Sequence, residues 1–262
     1  MFYSKLPIII LAEMVSEESD SINSRLAKYI LYHMDEIQDY SIRDLSARTY
    51  ISISSISRFC RDIGLKDFAE LKELISGASL NFEICSSKKA ADDQKDDYIS
   101  SVEEALERVR RSIDMKQLYS LAEDIRDHEN IYLCGILKGE TAAMNLQADL
   151  VMLGKPAITK VRYSHQAELL RSVGAGDLVI IFSYTGVFYK YGYPKNIDHK
   201  KKGRPRIWFI TSDPEARKNP EFDEVIWFDS LQNQASHPYQ MQMVASLIAQ
   251  CYGHLLENGK GQ

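Results

Sequence analysis

The chain has 262 residues, 45% of them hydrophobic and 26% charged, with a formal net charge of −5, which suits one large or two ordinary soluble domains. No apolar run approaches the roughly 20 residues of a membrane span. Its four cysteines, Cys60, Cys85, Cys134 and Cys251, are scattered without a CxxC pair, which argues against a disulfide framework or a metal site and for a reducing cytoplasm; no cofactor is called for.

Leu6 to Val15 is apolar and follows Lys5, but Glu13 interrupts it and no small-residue cleavage site is present. It therefore reads as a packing helix rather than a signal peptide. Residues 41–75 carry two short helical patterns split by a tight break and followed at once by a third, which is the layout of a helix-turn-helix. In the first helix Ile42, Leu45 and Thr49 share a face and Ser41 is the N-cap candidate. After the break at Tyr50 and Ile51, Ser52 caps a second helix whose inner face is Ile56, Phe59, Cys60 and Ile63. The opposite face holds Ser54, Arg58 and Arg61, flanked by Ser55 and Ser57. Small hydroxyls and two arginines on a short helix suit the major groove, where Arg forks to guanine and Ser bonds bases or phosphates. Ser52, Ser54, Ser55, Ser57, Arg58 and Arg61 are the DNA-binding candidates, and Gly64 ends the helix.

Charge is divided. Residues 1–80 hold nine Lys and Arg against twelve Asp and Glu, a net of −3, whereas Arg43, Arg48, Arg58, Arg61 and Lys66 oppose only Asp44 and Asp62 within residues 43–66, a local +3. Affinity depends on the phosphates neutralised at the contact, so a local patch suffices, and a dimer of such domains is expected.

The run Ser52 to Cys60, with Ser55-Ile56-Ser57-Arg58-Phe59-Cys60 at its centre and then Gly64, Phe68 and Leu71-Lys72, resembles the N-terminal domain of RpiR-type bacterial transcription regulators. That family's pattern is Ser-x-x-Thr-Val-Ser-Arg-Phe-Cys, then Leu-Gly, then a Phe-x-x-Leu-Lys helix. Ser46 stands where the family has a small Ala, and Tyr50 where it often has Gly. A left-handed backbone at Tyr50 would cost about 1–2 kcal/mol, so a reshaped turn is expected there.

Residues 77–100 are small, polar and of mixed charge and read as a linker between a DNA-binding domain at 1–76 and a second domain at 101–262. From residue 101 the pattern alternates. Val102, Ala105, Leu106 and Val109, then Leu118, Leu121, Ala122 and Ile125, give helical faces. Compact apolar runs follow at Ile131–Cys134, Leu178–Phe182, Ile207–Ile210 and Val225–Phe228, with a weaker one around Ala157–Val161, and a long apolar helix from about Pro238 to Leu256 closes the chain. The expected fold is an all-α helix-turn-helix domain followed by an α/β doubly wound parallel sheet. In such sheets ligands sit beyond the carboxyl ends of the strands, where helix N-termini face anions.

Two strand ends matter. One is Gly135-Ile136-Leu137-Lys138-Gly139-Glu140-Thr141, and the other is Ser183-Tyr184-Thr185-Gly186-Val187-Phe188. Hydroxyls beside a glycine can cradle a phosphate, though Ser, Thr and Gly also populate ordinary turns. Residues 101–257 are similar to a SIS domain, the sugar-phosphate-binding module attached to RpiR-type regulators, whose patterns are Gly-x-Gly-x-Ser after the first strand and Ser-x-Ser-Gly-x-Thr after the third. Ser183, Thr185 and Gly186 match the second, with Phe188 replacing its last Thr; Gly135 matches the first, with Leu137 and Gly139 replacing Gly and Ser. Leu137 and Phe188 are expected to make the pocket less polar. The resemblance implies that Gly135, Lys138, Gly139, Ser183, Tyr184, Thr185 and Gly186 face a small phosphorylated sugar or related metabolite, with Lys138 adding charge.

Other features have plainer readings. His165 and Glu168 are acid/base candidates for an isomerase but fit a solvated helix face. His237 starts the last helix. Lys200-Lys201-Lys202-Gly203-Arg204-Pro205-Arg206 has an AT-hook core yet reads as a loop before a strand. Tyr184, Phe188, Tyr189, Tyr191 and Tyr193 stack on a ligand or pack an interface. The expected protein is a non-enzymatic transcription regulator of carbohydrate metabolism genes, a homodimer or homotetramer that binds operator DNA, not a membrane. The alternatives are a SIS domain serving only as a dimerisation scaffold, and a phosphosugar isomerase.

Overall fold

The computed structural model describes residues 5–16, 18, 20–76, 90–186, 188–189, 203–233 and 237–259. A helical part comes first, built from α1 (Lys5–Ser16), α2 (Ile22–Tyr32), α3 (Met34–Ile37), α4 (Ile42–Thr49), α5 (Ile53–Asp62) and α6 (Phe68–Ile75). Ser21, Ser41, Ser52 and Asp67 each accept a backbone N–H of the helix they open, removing orphan donors at about 1 kcal/mol apiece. Leu26, Ile30, Leu45, Ile56, Phe59 and Leu71 are fully buried and supply the core of this part.

The α/β part follows as α7 (Ala91–Ser112), α8 (Met115–Asp127), β1 (Asn130–Gly135), α9 (Lys138–Met152), β2 (Ile158–Thr159), α10 (Tyr163–Ser172), β3 (Asp177–Phe182), β4 (Arg206–Thr211), a 3-10 turn (Pro214–Lys218), β5 (Glu224–Trp227) and α11 (His237–Gly259). All strand pairs are parallel, in the order β2-β1-β3-β4-β5, as the compact apolar runs require for a sheet covered on both faces. The chain steps outward from β1 to β2 and then back across β1 to β3, so the switch in direction lies between β1 and β3. A crevice opens there, beyond their carboxyl ends.

α7 begins ten residues before the expected start of this domain. Ala91 to Ser100 are helical although the linker reading covers them, and residues 77–89 lie outside the described residues. Among the residues of α7 only Ala105 and Val109 are buried. Its N-terminal half is held instead by charge order, with Asp92 and Asp93 in the first turn and Arg110 and Arg111 in the last, complementing the helix dipole.

One sheet face packs Ile131, Leu133, Leu178, Ile180, Trp208 and Ile210 against α8, α9 and α11. The other presents Cys134, Val179, Ile181, Ile207 and Phe209 to a core that runs without a break through Tyr163 and Leu170 of α10 to Leu6, Ile9 and Ile10 of α1 and on to Phe59. Within this apolar contact lies the carboxylate of Glu13, fully buried. It accepts the Ser164 backbone N–H at 3.1 Å and faces the Ser164 hydroxyl at 3.5 Å. At the outer strands, the Gln117 amide donates to the Val225 carbonyl on β5 at 3.1 Å. Arg204 is held by both Asp223 oxygens and Arg206 by Asp124, so the Gly-Arg-Pro segment is a braced loop before β4. Lys200 to Lys202 lie outside the described residues.

Glu13→Ala leaves the Ser164 N–H buried without its acceptor and is expected to lower stability by about 1–3 kcal/mol. Urea unfolding of the full chain checks this, and an unchanged midpoint would show that the carboxylate carries no net stabilisation.

Candidate functional site

The turn between α4 and α5 is built by two unusual residues. Tyr50 adopts the left-handed conformation (φ 56°, ψ 30°) and is 91% exposed. The expectation of a reshaped turn is thus corrected: the chain keeps the glycine-type turn and bears its strain, about 1–2 kcal/mol. Ser46 offsets part of it by donating its hydroxyl to the Ile51 carbonyl at 2.6 Å. Ser41 and Asp44 form a reciprocal capping box at the other end of α4.

On α5, Ile56, Phe59 and Cys60 are buried, and burial pushes the Cys60 thiol up to about 12. Ser52, Ser54, Arg58 and Arg61 are exposed, with Ser55 and Ser57 half-buried beside them. The hydroxyls of Ser52, Ser54 and Ser55 form a cluster at the N-terminus, each pair involving Ser52 at 2.9 Å. The six DNA-binding candidates therefore share one outward side. At the C-terminal end, Leu65 N–H donates to the Cys60 carbonyl around Gly64 (φ 88°), a Schellman closure. Burial raises the Asp62 carboxyl, opposed by Arg58, Arg61 and by Arg162 and Arg171 of the α10 region, so this end of α5 faces the α/β part.

The crevice brings together the two loops expected to meet there. Gly135 and Gly139 are required by close approach: a Cβ on Gly139 would sit 2.4 Å from the Phe182 carbonyl oxygen, and one on Gly135 2.4 Å from the Gly139 backbone. A serine at 139 cannot fit, which accounts for the departure from Gly-x-Gly-x-Ser. Leu137 stands at φ 51°, ψ −111°, a region that only glycine enters without strain. The backbone keeps the family's glycine geometry although the side chain has changed. Lys138 and Glu140 open α9 half-buried; burial lowers the Lys138 ammonium and raises the Glu140 carboxyl to about 7.

On the β3 loop, Gly186 (φ 69°) turns the chain, and a Cβ there would meet Asp213 Oδ2 at 2.5 Å. Ser183 is buried and its Oγ accepts the Phe188 N–H at 3.0 Å. Tyr184 is buried: its hydroxyl donates to Gln240 Oε1 at 2.9 Å and meets Ser230 Oγ, and its ring stacks on His237 at 4.0 Å. Thr185 is half-buried. Phe188 does not enlarge the apolar lining of the pocket as expected. It is buried edge-on against Tyr163, 5.9 Å between centroids, because the turn at Gly186 carries it into the core under α10. Tyr189 packs against Phe209 and Phe222, while Tyr191 and Tyr193 lie outside the described residues. His165 and Glu168 sit on α10, clear of the buried positions of that helix. His237 is buried, and burial lowers its imidazole to about 3, with the nearby Lys138 charge acting the same way.

Sequence reading passes over Gln166, which is fully buried. Its Oε1 accepts the Gly135 N–H at 3.0 Å, and its Nε2 donates to the Gly135 and Lys160 carbonyls at 2.7 Å each. β2 pairs only with Tyr132 and Leu133, so this amide supplies the hydrogen bonds that a longer β2 would have given Gly135. No periodicity signals such a residue. Among the described residues no cluster of metal-ligating side chains occurs, and no helix is long and apolar enough to cross a membrane.

Leu137→Gly is expected to raise stability by about 1 kcal/mol through relief of strain, read as a higher urea midpoint at unchanged slope; no rise would mean the loop relaxes elsewhere. His237 has a folded pKa below its unfolded value, so its contribution to stability is complete above pH 6.5 and is lost as pH falls toward 3. His237→Gln should flatten that part of the pH–stability curve, and parallel curves for the two proteins would refute a depressed imidazole.

Residues 10–79 match the family model described as "Helix-turn-helix domain, rpiR family". HexR, an HTH-type transcriptional regulator of Pseudomonas aeruginosa, is 21% identical over 184 residues, 67% of this chain and 65% of HexR's own length, so the match spans a little under two thirds of that relative. The structure of Vibrio vulnificus NanR complexed with ManNAc-6P aligns over 96% of this chain and 94% of its own, at 18% identity and a TM-score of 0.48. Escherichia coli CFT073 c3406, solved in complex with a phosphosugar, aligns over 61% of this chain and 88% of its own, at 14% identity and a TM-score of 0.50. Residues 10–79 thus form a helix-turn-helix domain of the rpiR family, followed in the same chain by a parallel α/β domain with the fold of c3406.

Proposed function

We propose that this protein is a DNA-binding transcription regulator of carbohydrate metabolism genes, acting in the cytoplasm as a homodimer or higher homo-oligomer, with a phosphosugar-type effector bound at its SIS-like domain. The observation that carries the reading is α5. It is capped by Ser52, locked to the core by Ile56 and Phe59, and turns Ser54, Arg58 and Arg61 outward as a unit. A helix so held enters the major groove with side chains already placed, and a dimer sets two of them on a palindromic site.

The effector reading rests on the crevice between β1 and β3, where the α9 N-terminus, Lys138, Ser183, Thr185 and Gly186 assemble around a switch point suited to an anion, and on the phosphosugar complex of the fold relative c3406. An effector alters DNA binding only if it prefers one arrangement of the DNA-binding domains. The route for that preference runs from Gly135 through Gln166 to α10, and from Ser164 at the start of α10 to Glu13 of α1.

The test is fluorescence anisotropy of the full chain with operator duplexes obtained by in vitro selection, with and without a panel of aldose, ketose and amino-sugar phosphates. Arg58→Ala should weaken operator binding by about 1–3 kcal/mol and relax base choice at one position per half-site. At least one sugar phosphate should shift the wild-type affinity. Unchanged affinity for Arg58→Ala removes that residue from base reading, and indifference to the whole panel favours a scaffold role for the α/β domain.

A further inference from the structure

Beside the reading helix lies a cleft of about 460 Å³ between α2 and the α4–α5 turn. Arg25 and Lys28 of α2, Arg48 of α4, and Tyr32 and Tyr50 contribute to its lining, which includes no carboxylate among the described residues. Tyr32 and Tyr50 are 74% and 91% exposed, so two phenol hydroxyls and three cations share one open surface in a part of the chain whose net charge is negative. Arg48 is fixed over the Tyr40 ring at 4.6 Å and acts electrostatically on Glu36 and Asp44, which compensates part of its charge. Glu36 is itself engaged by the Tyr40 hydroxyl and by His33 at 3.0 Å. Arg25 reaches the Thr49 carbonyl, at the end of α4, at 3.5 Å, and Lys28 is exposed. The uncompensated positive charge of the cleft is therefore that of Arg25 and Lys28.

Position gives this patch its meaning. Thr49, Tyr50 and Ile51 line the cleft and lead directly into Ser52, the N-cap of α5. In helix-turn-helix docking the N-terminal residues of the reading helix contact base edges while the element before it crosses the backbone. Whatever flanks that end meets a sugar-phosphate strand. The other end of α5 faces Arg162 and Arg171 of the α/β part, so the cleft lies on the end of the helix turned away from that part.

Resting on the DNA-binding reading, we propose that the α2 cleft is a second DNA contact, in which Arg25 and Lys28 with the hydroxyls of Tyr32 and Tyr50 grip phosphates of the strand flanking the groove that α5 reads. Cations and hydroxyls that meet only phosphate oxygens add affinity and register without reading sequence. This contact supplies positive charge that α5 alone lacks, and it gives a use to the strained, exposed Tyr50.

The experiment compares full-length wild type, Lys28→Gln, the double variant Arg25→Gln/Lys28→Gln, and Arg58→Ala on a selected operator duplex and a scrambled duplex of equal length, at several salt concentrations. Each phosphate contact contributes about 0.9 to the slope of log affinity against log salt. The double variant should therefore lose about 2 from that slope, and Lys28→Gln, which alters only an exposed side chain, about 1. Both should weaken operator and scrambled duplex by the same factor, roughly tenfold or more for the double variant. An unchanged slope with Arg58→Ala still defective overturns the cleft and leaves the DNA-binding reading intact. A loss confined to the operator duplex overturns the backbone role. Failure of the wild-type chain to retain any duplex overturns both.

Discussion

The Glu13 carboxylate is out of reach of solvent, and a charge so placed persists only where protein groups replace water. Here the replacement includes the first turn of α10, whose Ser164 N–H is an orphan donor of that helix. One contact thus meets two needs, those of a buried anion and of an uncapped helix. It does so at the seam where α1 joins the helical part of the chain to the sheet. The apolar core that surrounds it is continuous from Phe59 on the reading helix to Phe209 on β4. The relative placement of the two parts is therefore set by packing as tight as that inside either.

The same economy governs the crevice. Gly135 and Gly139 are small because the α9 N-terminus is drawn onto the end of β3, and Gln166 pins Gly135 from the other side. Leu137, caught between two such constraints, takes a backbone shape that its side chain opposes. Strain of this kind survives only where the surroundings over-determine the conformation. Tyr50 makes a parallel case in the helical part. In each, a residue with a Cβ occupies a glycine position and the fold has held its geometry.

Most of the architecture is legible in the sequence because each element announces itself locally. The β1, β3, β4 and β5 runs are short, apolar and evenly spaced, and the caps Ser41 and Ser52 precede apolar periodicity. The reading helix is legible for the same reason, since its inner and outer faces differ so sharply. What escapes is non-local or lacks period. The start of α7 reads as linker through Ser100 because its first half buries nothing, and charge order rather than hydrophobicity sustains it. Gln166 and Glu13 carry no pattern, because their partners lie 31 and 151 residues away in sequence. Phe188 is expected in the pocket since its place in the motif is a pocket position, yet its burial next to Tyr163 is decided by a turn whose outcome no spacing reveals.

Side-chain amides also finish the sheet. β2 contributes two residues and β5 four, and where these outer strands stop short or present free carbonyls, Gln166 bonds Gly135 and Gln117 bonds Val225. An unfinished sheet edge is a template on which another chain can add a strand, the first step of polymerisation. Here the template is nearly erased, because little of either edge is long enough to hold an incoming segment and part of what remains is already occupied. A chain that must bring copies of itself together has in this way closed a route by which such copies could join without limit.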